Sequence, residues 1–343
     1  MGVRYQTQAQ GLVYTVVDDL QITYLALITS SLVDEVFSTP LQVQAVITPD
    51  LSGLGVNFTD GALFAVTGYA ELAFPKLATT PYTVNLNIVA PGYRPASVSV
   101  PIPALSTLPV VFPPINMRPL PVRLQGRVVK KSDRSAIAGA TISSGDPTVL
   151  FLRSPLYFDH ASGVTINAYT FGGGGGGLNL AAPILGGSST IFLNSNLGLA
   201  GKTLWIGSDP LAEVVTVLTI GPAPGQVNLQ NKLNSSFPKT APVQLATLTL
   251  GGSTTLKRSS NSGDGLLVLN GPLATTGIQV VDGAQSEYHF LNAVSDASGY
   301  YHLNGVAGVP SLDLSVSAGG FPTATTTWFL VYNDPVNVVD FRL

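Results

Sequence analysis

The sequence predicts an all-β protein, and three observations lead to that prediction. Segments in which apolar and polar residues alternate recur along the whole chain, and Gly, Pro, Asn and Asp separate them. Such period-two alternation is typical of half-buried strands. The 343 residues include 25 prolines spread along the chain, which leaves little room for a long helix. Gly, Pro, Asn and Asp recur at intervals that match the short strands of β-sandwiches and small β-barrels.

Taken in order, six segments show the alternation most clearly. They are LQVQAVI (41–47), YTVNLNIV (82–89), ASVSVPI (96–102), VRLQGRVV (122–129), AEVVTVLTI (212–220) and SLDLSVS (311–317). Residues 59–74 place Leu63, Val66 and Ala70 at a spacing that a helix could use. The internal Gly68 and the β-branched residues disfavour a helix, so we expect strands there as well.

The composition is unusual in its charge. Charged residues make up only 10% of the chain, against about a quarter of a typical globular protein, and the net charge is −3. Two explanations stay open: a surface covered by neighbouring subunits, or one rich in amides and hydroxyls. The apolar runs, such as 108–115, are short and interrupted by proline, so we expect no transmembrane segment. Basic residues concentrate only around Lys130 and Lys131, so we expect no nucleic-acid partner.

The chain has no cysteine, which excludes disulfides and thiolate chemistry. Residues 1–11 lack the apolar core of a signal peptide. We therefore expect cytoplasmic synthesis, followed by assembly into a particle that is released or associated with a membrane.

An internal repeat is the most informative feature. Residues 59–102 and 295–331 share an order: a turn led by an aspartate, an aromatic-bearing strand, an alternating strand, a Gly-aromatic turn and a further strand. Asp60 and Asp296 can close their turns through the side chain. Gly92 and Gly320 can supply the positive φ of the later turns. A hairpin precedes each copy, at 25–47 and 124–142, so we predict two small sandwiches in tandem.

The second copy resembles the carboxypeptidase regulatory-like domain, a transthyretin-like β-sandwich. The residues that carry the resemblance are Gly126, Gly139, Ala140, Asp296, Gly299, Tyr300, Gly320 and Phe321. The N-terminal copy is more degenerate and has no counterpart of Gly126. The resemblance implies a structural or adhesive module without a catalytic centre of its own.

About 150 residues separate the first hairpin of the second copy from its aspartate turn, which predicts an insertion into one loop. The predicted domains are a first β-sandwich (1–120), a discontinuous second β-sandwich (121–146 and 293–343) and an inserted β-barrel-like domain (147–292). Residues 189–233 resemble small β-barrel modules of phage-tail and contractile-particle proteins. The six glycines Gly172–Gly177 have no neighbouring lysine, so we predict a linker that provides flexibility or very close backbone packing. The alternative is a hinge or a surface loop that becomes ordered on assembly.

Several features look catalytic without meeting the chemical requirements. NLGLAGKT (196–203) has Asn196 where a phosphate-binding loop needs glycine, and a predicted strand follows, so we expect a turn. His160, His289 and His302 show no metal-ligand spacing. Aromatic residues flank His289 and His302, so we predict that these two are packed or rim residues rather than ligands. Glu35, Glu71, Glu213 and Glu287 show no acid–base pairing. We predict no catalytic, cofactor-binding or metal-binding residue.

The sequence therefore favours a non-enzymatic structural component of a multi-protein particle, such as a phage-tail-like contractile injection system. The expected partners are other protein subunits, including copies of the same chain. The alternative is an adhesin or carbohydrate-binding β-sandwich protein. In that case Tyr93, Tyr300, Tyr301, Phe321 and Trp328 would form an exposed stacking platform. An enzyme is the third possibility.

Overall fold

The computed structural model describes residues 3–8, 11–16, 21–23, 25–50, 63–66, 69–74, 81–103, 110–208, 211–332 and 334–343. Strands dominate these residues, and their one helical element is a single 3₁₀ turn, Gly283–Gln285. The all-β prediction is therefore confirmed. The chain divides into two compact units, Met1–Leu120 and Pro121–Leu343.

The described residues of the first unit form three sheets. Its strands are β1 (Val3–Gln8), β2 (Gly11–Val16), β3 (Gln21–Thr23), β4 (Leu25–Asp34), β5 (Val46–Asp50), β6 (Leu63–Val66), β7 (Tyr69–Phe74), β8 (Tyr82–Val89), β9 (Ala96–Ile102), β10 (Val110–Val111) and β11 (Ile115–Met117). The sheet orders are β1-β2-β3, β10-β4-β7-β6 with β11 also on β4, and β5-β8-β9. Strands β4, β5, β8, β9 and β11 contribute to one buried core.

The second unit contains eighteen named strands among its described residues. They are β12 (Val122–Val129), β13 (Thr141–Ser144), β14 (Val149–Phe151), β15 (Thr165–Asn179), β16 (Thr190–Phe192), β17 (Thr203–Ile206), β18 (Glu213–Ile220), β19 (Gln226–Leu229), β20 (Pro242–Thr255), β21 (Leu266–Val268), β22 (Gly277–Val281), β23 (Glu287–Phe290), β24 (Ala293–Val294), β25 (Tyr300–Val306), β26 (Ser311–Ser317), β27 (Ala324–Phe329), β28 (Val336–Val338) and β29 (Phe341–Arg342).

Most predicted strands appear with their predicted bounds. Strands β8, β9, β12 and β26 coincide with the predicted segments, and β18 begins one residue later than predicted. The prediction for 41–47 is wrong over its first five residues, because β5 begins only at Val46. Leu41 and Ala45 are nevertheless buried in the core, so their apolar character reflects packing rather than strand pairing.

Two sheets of the second unit share a core built from both ends of that unit. Strand β12 pairs with β25, β28 and β29, and strand β13 pairs with β24 and β26, which pairs with β27. The core side chains come from residues 122–142 and 293–341, with Phe151 and Leu266 added from the segment between. A side chain at Gly126 would overlap the carbonyl oxygen of Val339, so only glycine permits this approach.

The turn chemistry predicted from the repeat is confirmed where it lies in described residues. Gly92 and Gly320 have φ values of 80° and 81°, in the region that favours glycine. Asp296 Oδ1 accepts the N–H groups of Ser298 (2.8 Å) and Tyr300 (2.9 Å), which closes its turn. Asp60 lies outside the described residues.

An eight-stranded sheet in the order β16-β19-β18-β17-β20-β15-β22-β23 forms most of residues 165–290. The long strands β15 and β20 pair with each other at the centre of this sheet. On each side of this central pair, the other strands follow the same order of pairing. Strand β15 pairs with β22, which pairs with β23, and strand β20 pairs with β17, which pairs with β18. Likewise β14 pairs with β21, and β19 pairs with β16. Residues 149–220 and 226–291 are thus two halves with equivalent topology.

The two halves exchange strands, so each core takes side chains from both. We call the core of Leu152, Leu156 and Ile166 with Leu267, Leu269 and Ile278 lobe A. We call the core of Leu229, Leu233 and Val243 with Ile191, Leu193 and Leu204 lobe B. Each core therefore contains buried side chains from both halves.

The linker prediction for Gly172–Gly177 is wrong, because these glycines lie inside β15. Gly172, Gly173 and Gly174 pair with Thr247, Ala246 and Leu245 of β20, and the register shifts before Leu178. Hydrogen bonds to β20 outweigh the conformational freedom of glycine in this strand. Nearby, Gly277 of β22 makes room for the ring of Phe171, which a Cβ atom would overlap.

Candidate functional site

Two buried glutamates occupy equivalent positions in the two halves. Glu213 begins β18 and Glu287 begins β23, and each is 1% exposed. Glu287 accepts the backbone N–H groups of Tyr157 (2.7 Å) and Phe158 (3.3 Å). Glu213 accepts those of Asn234 (3.0 Å) and Ser235. Each carboxylate therefore holds a loop of the opposite half, an arrangement that we call a glutamate clamp.

The clamp at Glu287 belongs to a larger polar network. Glu287 Oε1 contacts His160 Nε2 at 2.7 Å, and Oε2 contacts His289 Nε2 at 2.8 Å. On its other side, His160 Nδ1 contacts Asp282 Oδ2 at 2.8 Å. His289 Nδ1 lies 3.2 Å from Ser154 Oγ, and the His289 ring stacks on Tyr157 with 5.6 Å between centroids. Ser154, His160, His289 and Glu287 are all buried, and Asp282 is partly exposed.

The geometry determines the protonation of this network. His160 faces a carboxylate oxygen with each ring nitrogen, so both nitrogens must carry protons. Burial lowers the pKa of His160, but the hydrogen bonds to Glu287 and Asp282 outweigh it and raise the pKa. Burial likewise opposes ionisation of Glu287, but the positive charge and hydrogen bonds of the histidines lower its pKa to about 2.

The clamp at Glu213 provides an internal control. Phe237 of lobe B occupies the position equivalent to His160 of lobe A, because each of the two residues forms the backbone bridge that closes its loop. Val215 lies two positions after Glu213, which is the position that His289 has relative to Glu287. Asn231 precedes its clamped loop as Ser154 does, and its Oδ1 has no hydrogen-bonding partner among the described residues. A clamp therefore holds its loop without histidines. The histidines and Ser154 around Glu287 are additional to the groups that loop attachment requires.

Tyr157 connects the two clamps. Its backbone N–H donates to Glu287, and its hydroxyl donates to Glu213 Oε2 at 2.9 Å. Burial and the charge of Glu213 raise the pKa of Tyr157 well above its ordinary value, so the hydroxyl stays protonated. Tyr157 thereby joins the loop that Glu287 of the other half holds to the carboxylate of Glu213 in its own half.

A cavity of about 280 Å³ lies beside the clamps, between the inserted segment and strand β25. Its lining includes Arg153, Ser154, Glu213, Asp296, Tyr300, His302 and Asn304. Partial burial and the charge of Arg123 lower the pKa of His302, which keeps its ring neutral at neutral pH. The cavity combines carboxylate, amide, imidazole and guanidinium groups, which suits polar recognition.

Ser154, His289 and Glu287 follow the order of a nucleophile, a base and a carboxylate. The His289 ring lies between the other two, with Nε2 2.8 Å from Glu287 Oε2 and Nδ1 3.2 Å from Ser154 Oγ, the spacing that nucleophilic catalysis requires. However, the Glu213 and Asp296 carboxylates line the cavity into which Ser154 opens. The Arg153 guanidinium shares this lining, so the cavity has mixed charge rather than a set of donors aimed at an oxyanion.

The residues singled out from the sequence have different outcomes. His289 is packed as predicted, and Glu287 contacts both His160 and His289, which the sequence did not indicate. Glu35 forms an ion pair with Arg118, with 2.8 Å between Oε2 and Nε. The side chain of Glu71 lies outside the described residues. The NLGLAGKT segment is a turn as predicted, with hydrogen bonds from Leu199 N to Asn196 O and from Lys202 N to Leu199 O.

The predicted aromatic platform is not formed. Tyr301 is buried and donates its hydroxyl to the Val339 carbonyl at 2.6 Å. Tyr93, Phe321 and Trp328 are half-buried against their cores, and the Tyr93 hydroxyl donates to Asp34 Oδ2. Tyr300 alone of the five is well exposed, at 49%. Alternation along a strand sends neighbouring rings to opposite faces, which is why Tyr300 and Tyr301 separate.

Sequence reasoning missed both the network and the two-fold arrangement of the halves. The spacing of Leu152 and Leu156 matches that of Leu229 and Leu233, and Phe-Leu-Asn (192–194) matches Val-Leu-Asn (268–270). These short signals could have indicated the duplication. The histidine network has no such signal, because its members are brought together only by folding.

Within the described residues, no group of three or more His, Asp or Glu side chains could hold a metal ion. Nor does any helix in the described part of the chain have the length and apolar character needed to cross a membrane.

Comparison with known proteins assigns no family. No family model matches the chain, and no curated protein matches it. One solved structure, the Bacillus anthracis TIE protein, aligns with 8% identity and a TM-score of 0.21 over 99% of this chain. The chain spans 58% of the length of that structure. Likeness at this level supports neither a fold family nor a function.

Proposed function

We propose that this protein is a non-enzymatic structural component of a multi-protein particle. We further propose that the particle is a phage-tail-like contractile injection system, in which the chain is a baseplate, spike-proximal, fibre or cap accessory. The chain is made in the cytoplasm and joins a particle that is released or associated with a membrane. Its partners are other subunits or copies of itself.

The exposed apolar surface of lobe B supports this proposal most directly. Six large apolar side chains of this lobe and its loops are exposed: Leu185, Phe192, Leu197, Leu211, Leu218 and Ile220. Leu185 and Leu197 are 75% and 90% exposed. A single exposed leucine needs no explanation, but several in one lobe are typical of a surface that another protein covers. The low charge of the chain points the same way, because interface cores are depleted of charged residues.

The architecture of the second unit also supports a scaffold. We propose that residues 121–146 and 293–343 form a transthyretin-like sandwich and that residues 147–292 form a barrel-like insertion. Ile142 of β13 lies directly opposite Ala293 of β24, so the two ends of the insertion are adjacent. We propose a first sandwich for residues 1–120, where two sheets share one core. The assignment to a contractile particle depends on the resemblance of residues 189–233 to small barrel modules of such particles.

Charge reversal on lobe B tests the assembly. Each exposed leucine would bury apolar surface worth about 2 kcal/mol in a subunit contact. We expect the double variant Leu185→Glu/Leu197→Glu to enter the particle at least about tenfold less than the native chain. Native mass spectrometry of particles purified from the host measures the incorporation.

The matched control is Thr326→Glu on β27, which adds charge to an exposed position outside lobe B. It should assemble normally, and the melting temperatures of all three proteins should agree. Full incorporation of the double variant, or a native chain found only as a soluble monomer, would contradict the proposal. Turnover abolished by a single substitution at His289 or Glu287 would contradict its non-enzymatic part.

A further inference from the structure

The outer face of strand β25 carries three polar side chains in a row. Tyr300, His302 and Asn304 alternate with Tyr301 and Leu303, which are buried in the core. Because alternate residues of a strand share a face, the first three point together into the 280 Å³ cavity. A strand of the sheet framework thus forms one wall of the cavity.

The facing wall comes from the clamped loops and the start of β18. Arg153 and Ser154 belong to the loop that Glu287 holds, and Glu213 holds Asn234 and Ser235 in turn. The two clamps therefore determine the positions of these wall groups. Cavities where two structural layers meet are common ligand sites, and this volume lies just below the range for drug-sized ligands. The cavity suits a small molecule.

The wall offers hydrogen-bond donors and acceptors that the fold does not use. Asn304 Oδ1 accepts from Arg123 Nε at 2.8 Å, which orients the amide and leaves its NH₂ group as a donor. The turn uses Oδ1 of Asp296 and leaves Oδ2 as an acceptor. His302 is neutral, so it contributes both a donor and an acceptor.

The Tyr300 ring lies among these groups and is held in place. The Arg127 guanidinium lies 5.5 Å from the ring centroid, and its Nη2 donates to the Ser298 carbonyl. About half of Tyr300 remains exposed. A fixed aromatic ring presents an apolar surface at low entropic cost.

We propose that this cavity binds a small neutral saccharide. Two carboxylates and one guanidinium share the wall, so neither a simple anion nor a simple cation is favoured. Closely spaced donors and acceptors match the hydroxyl groups of a sugar, each of which both donates and accepts. The Tyr300 ring packs against the C–H face of the sugar ring. The proposal does not depend on assembly through lobe B, and either can fail alone.

Saturation-transfer NMR on the full chain tests the proposal, with calorimetry for each sugar that gives a signal. The probes are glucose, galactose, mannose, N-acetylglucosamine, lactose and maltose, together with inorganic phosphate and ethylamine as charged small molecules. We expect at least one sugar to bind. Tyr300→Ala and Asn304→Ala should each weaken binding about tenfold, the effect of losing one good contact.

Phe329→Ala is the matched control, because it removes an equally large exposed ring from β27, outside the cavity lining. It should leave sugar binding unchanged. Three results would overturn the proposal: no binding of any sugar down to a Kd of about 10 mM, binding that survives both cavity substitutions, or a preference for phosphate or ethylamine. Circular dichroism would show that the variants keep the native fold.

Discussion

At the scale of single residues, Glu287 has the largest number of hydrogen-bonding partners in the polar network. It accepts two backbone N–H groups and contacts two buried histidines, so it neutralises charge and holds a loop together. Its counterpart Glu213 holds a loop but contacts no histidine, and it accepts a further hydrogen bond from the Tyr157 hydroxyl. The two equivalent positions thus share their backbone contacts but differ in their neighbouring side chains.

Glu287→Gln should destabilise the second unit by about 3 kcal/mol, because the substitution leaves a buried charged His160 beside a neutral amide. Urea denaturation followed by tryptophan fluorescence measures the loss. Asp313→Asn is the control, since the Asp313 side chain is exposed and its one hydrogen bond among the described residues is from Thr327. It should change stability by less than about 0.5 kcal/mol. Equal effects of the two substitutions would contradict the assigned role of Glu287.

The same network predicts a pH dependence of stability. The pKa of Glu287 is lowered from 4.5 to about 2, so its contribution is complete above pH 4.5 and is lost as the pH falls toward 2. The pKa of His160 is raised above 6.5, so its contribution is complete below pH 6.5 and is lost as the pH rises through the higher native value.

The contribution of this network to stability should therefore be largest between pH 4.5 and 6.5. Denaturation midpoints measured from pH 2 to pH 8 test this dependence. In Glu287→Gln the dependence should flatten on both sides, because the substituted side chain does not titrate and His160 loses a partner. An identical pH profile in the variant would show that the network does not titrate as described.

At the scale of elements, glycines inside strands have two roles: some continue a strand without any steric need for glycine, and others leave space that a neighbouring side chain fills. Gly172–Gly177 continues β15 along β20, and Gly277 of β22 receives the ring of Phe171. Phe171 in turn packs edge-on against Phe290, with 4.7 Å between centroids, and Phe290 packs against Trp205. A small residue thus supports the aromatic cluster that joins β15, β17 and β23.

Gly277→Ala should destabilise the second unit by about 2 kcal/mol or more, since the added methyl group displaces the Phe171 ring. Gly319→Ala is the matched control, because an added Cβ meets nothing within 4 Å there. Thermal melts of both variants make the comparison. The double variant Gly277→Ala/Phe171→Leu should recover part of the loss, whereas simple additivity would contradict the steric explanation.

At the scale of the whole molecule, a duplicated and strand-exchanged segment lies between the two parts of a sheet framework. Its ends meet beside β13 and β24, where Ile142 pairs with Ala293. Loop positions tolerate insertions when the chain ends are already adjacent. Phe151 and Leu266 nevertheless belong to the framework core, so residues of the segment between contribute to that core.

Replacing residues 147–291 of the 121–343 fragment by a short Gly-Ser linker should leave a folded β-sandwich. It should be less stable than the intact fragment by about 3 kcal/mol, because Phe151 and Leu266 are removed from the core. Dispersed amide signals in NMR and a cooperative melt measure this. A disordered product from the shortened chain, beside a folded 121–343 fragment, would contradict the proposed domain boundaries.

The sequence by itself determined the fold class, the bounds of β8, β9, β12 and β26, and the turns at Gly92, Asp296 and Gly320. These features follow from alternation and turn chemistry over a few neighbouring residues. Only the tertiary structure decided the strand exchange, the strand role of Gly172–Gly177, and the joining of His160 to Glu287 across 127 positions. Contacts at such separation depend on how strands pair, and no local pattern of residues encodes that pairing.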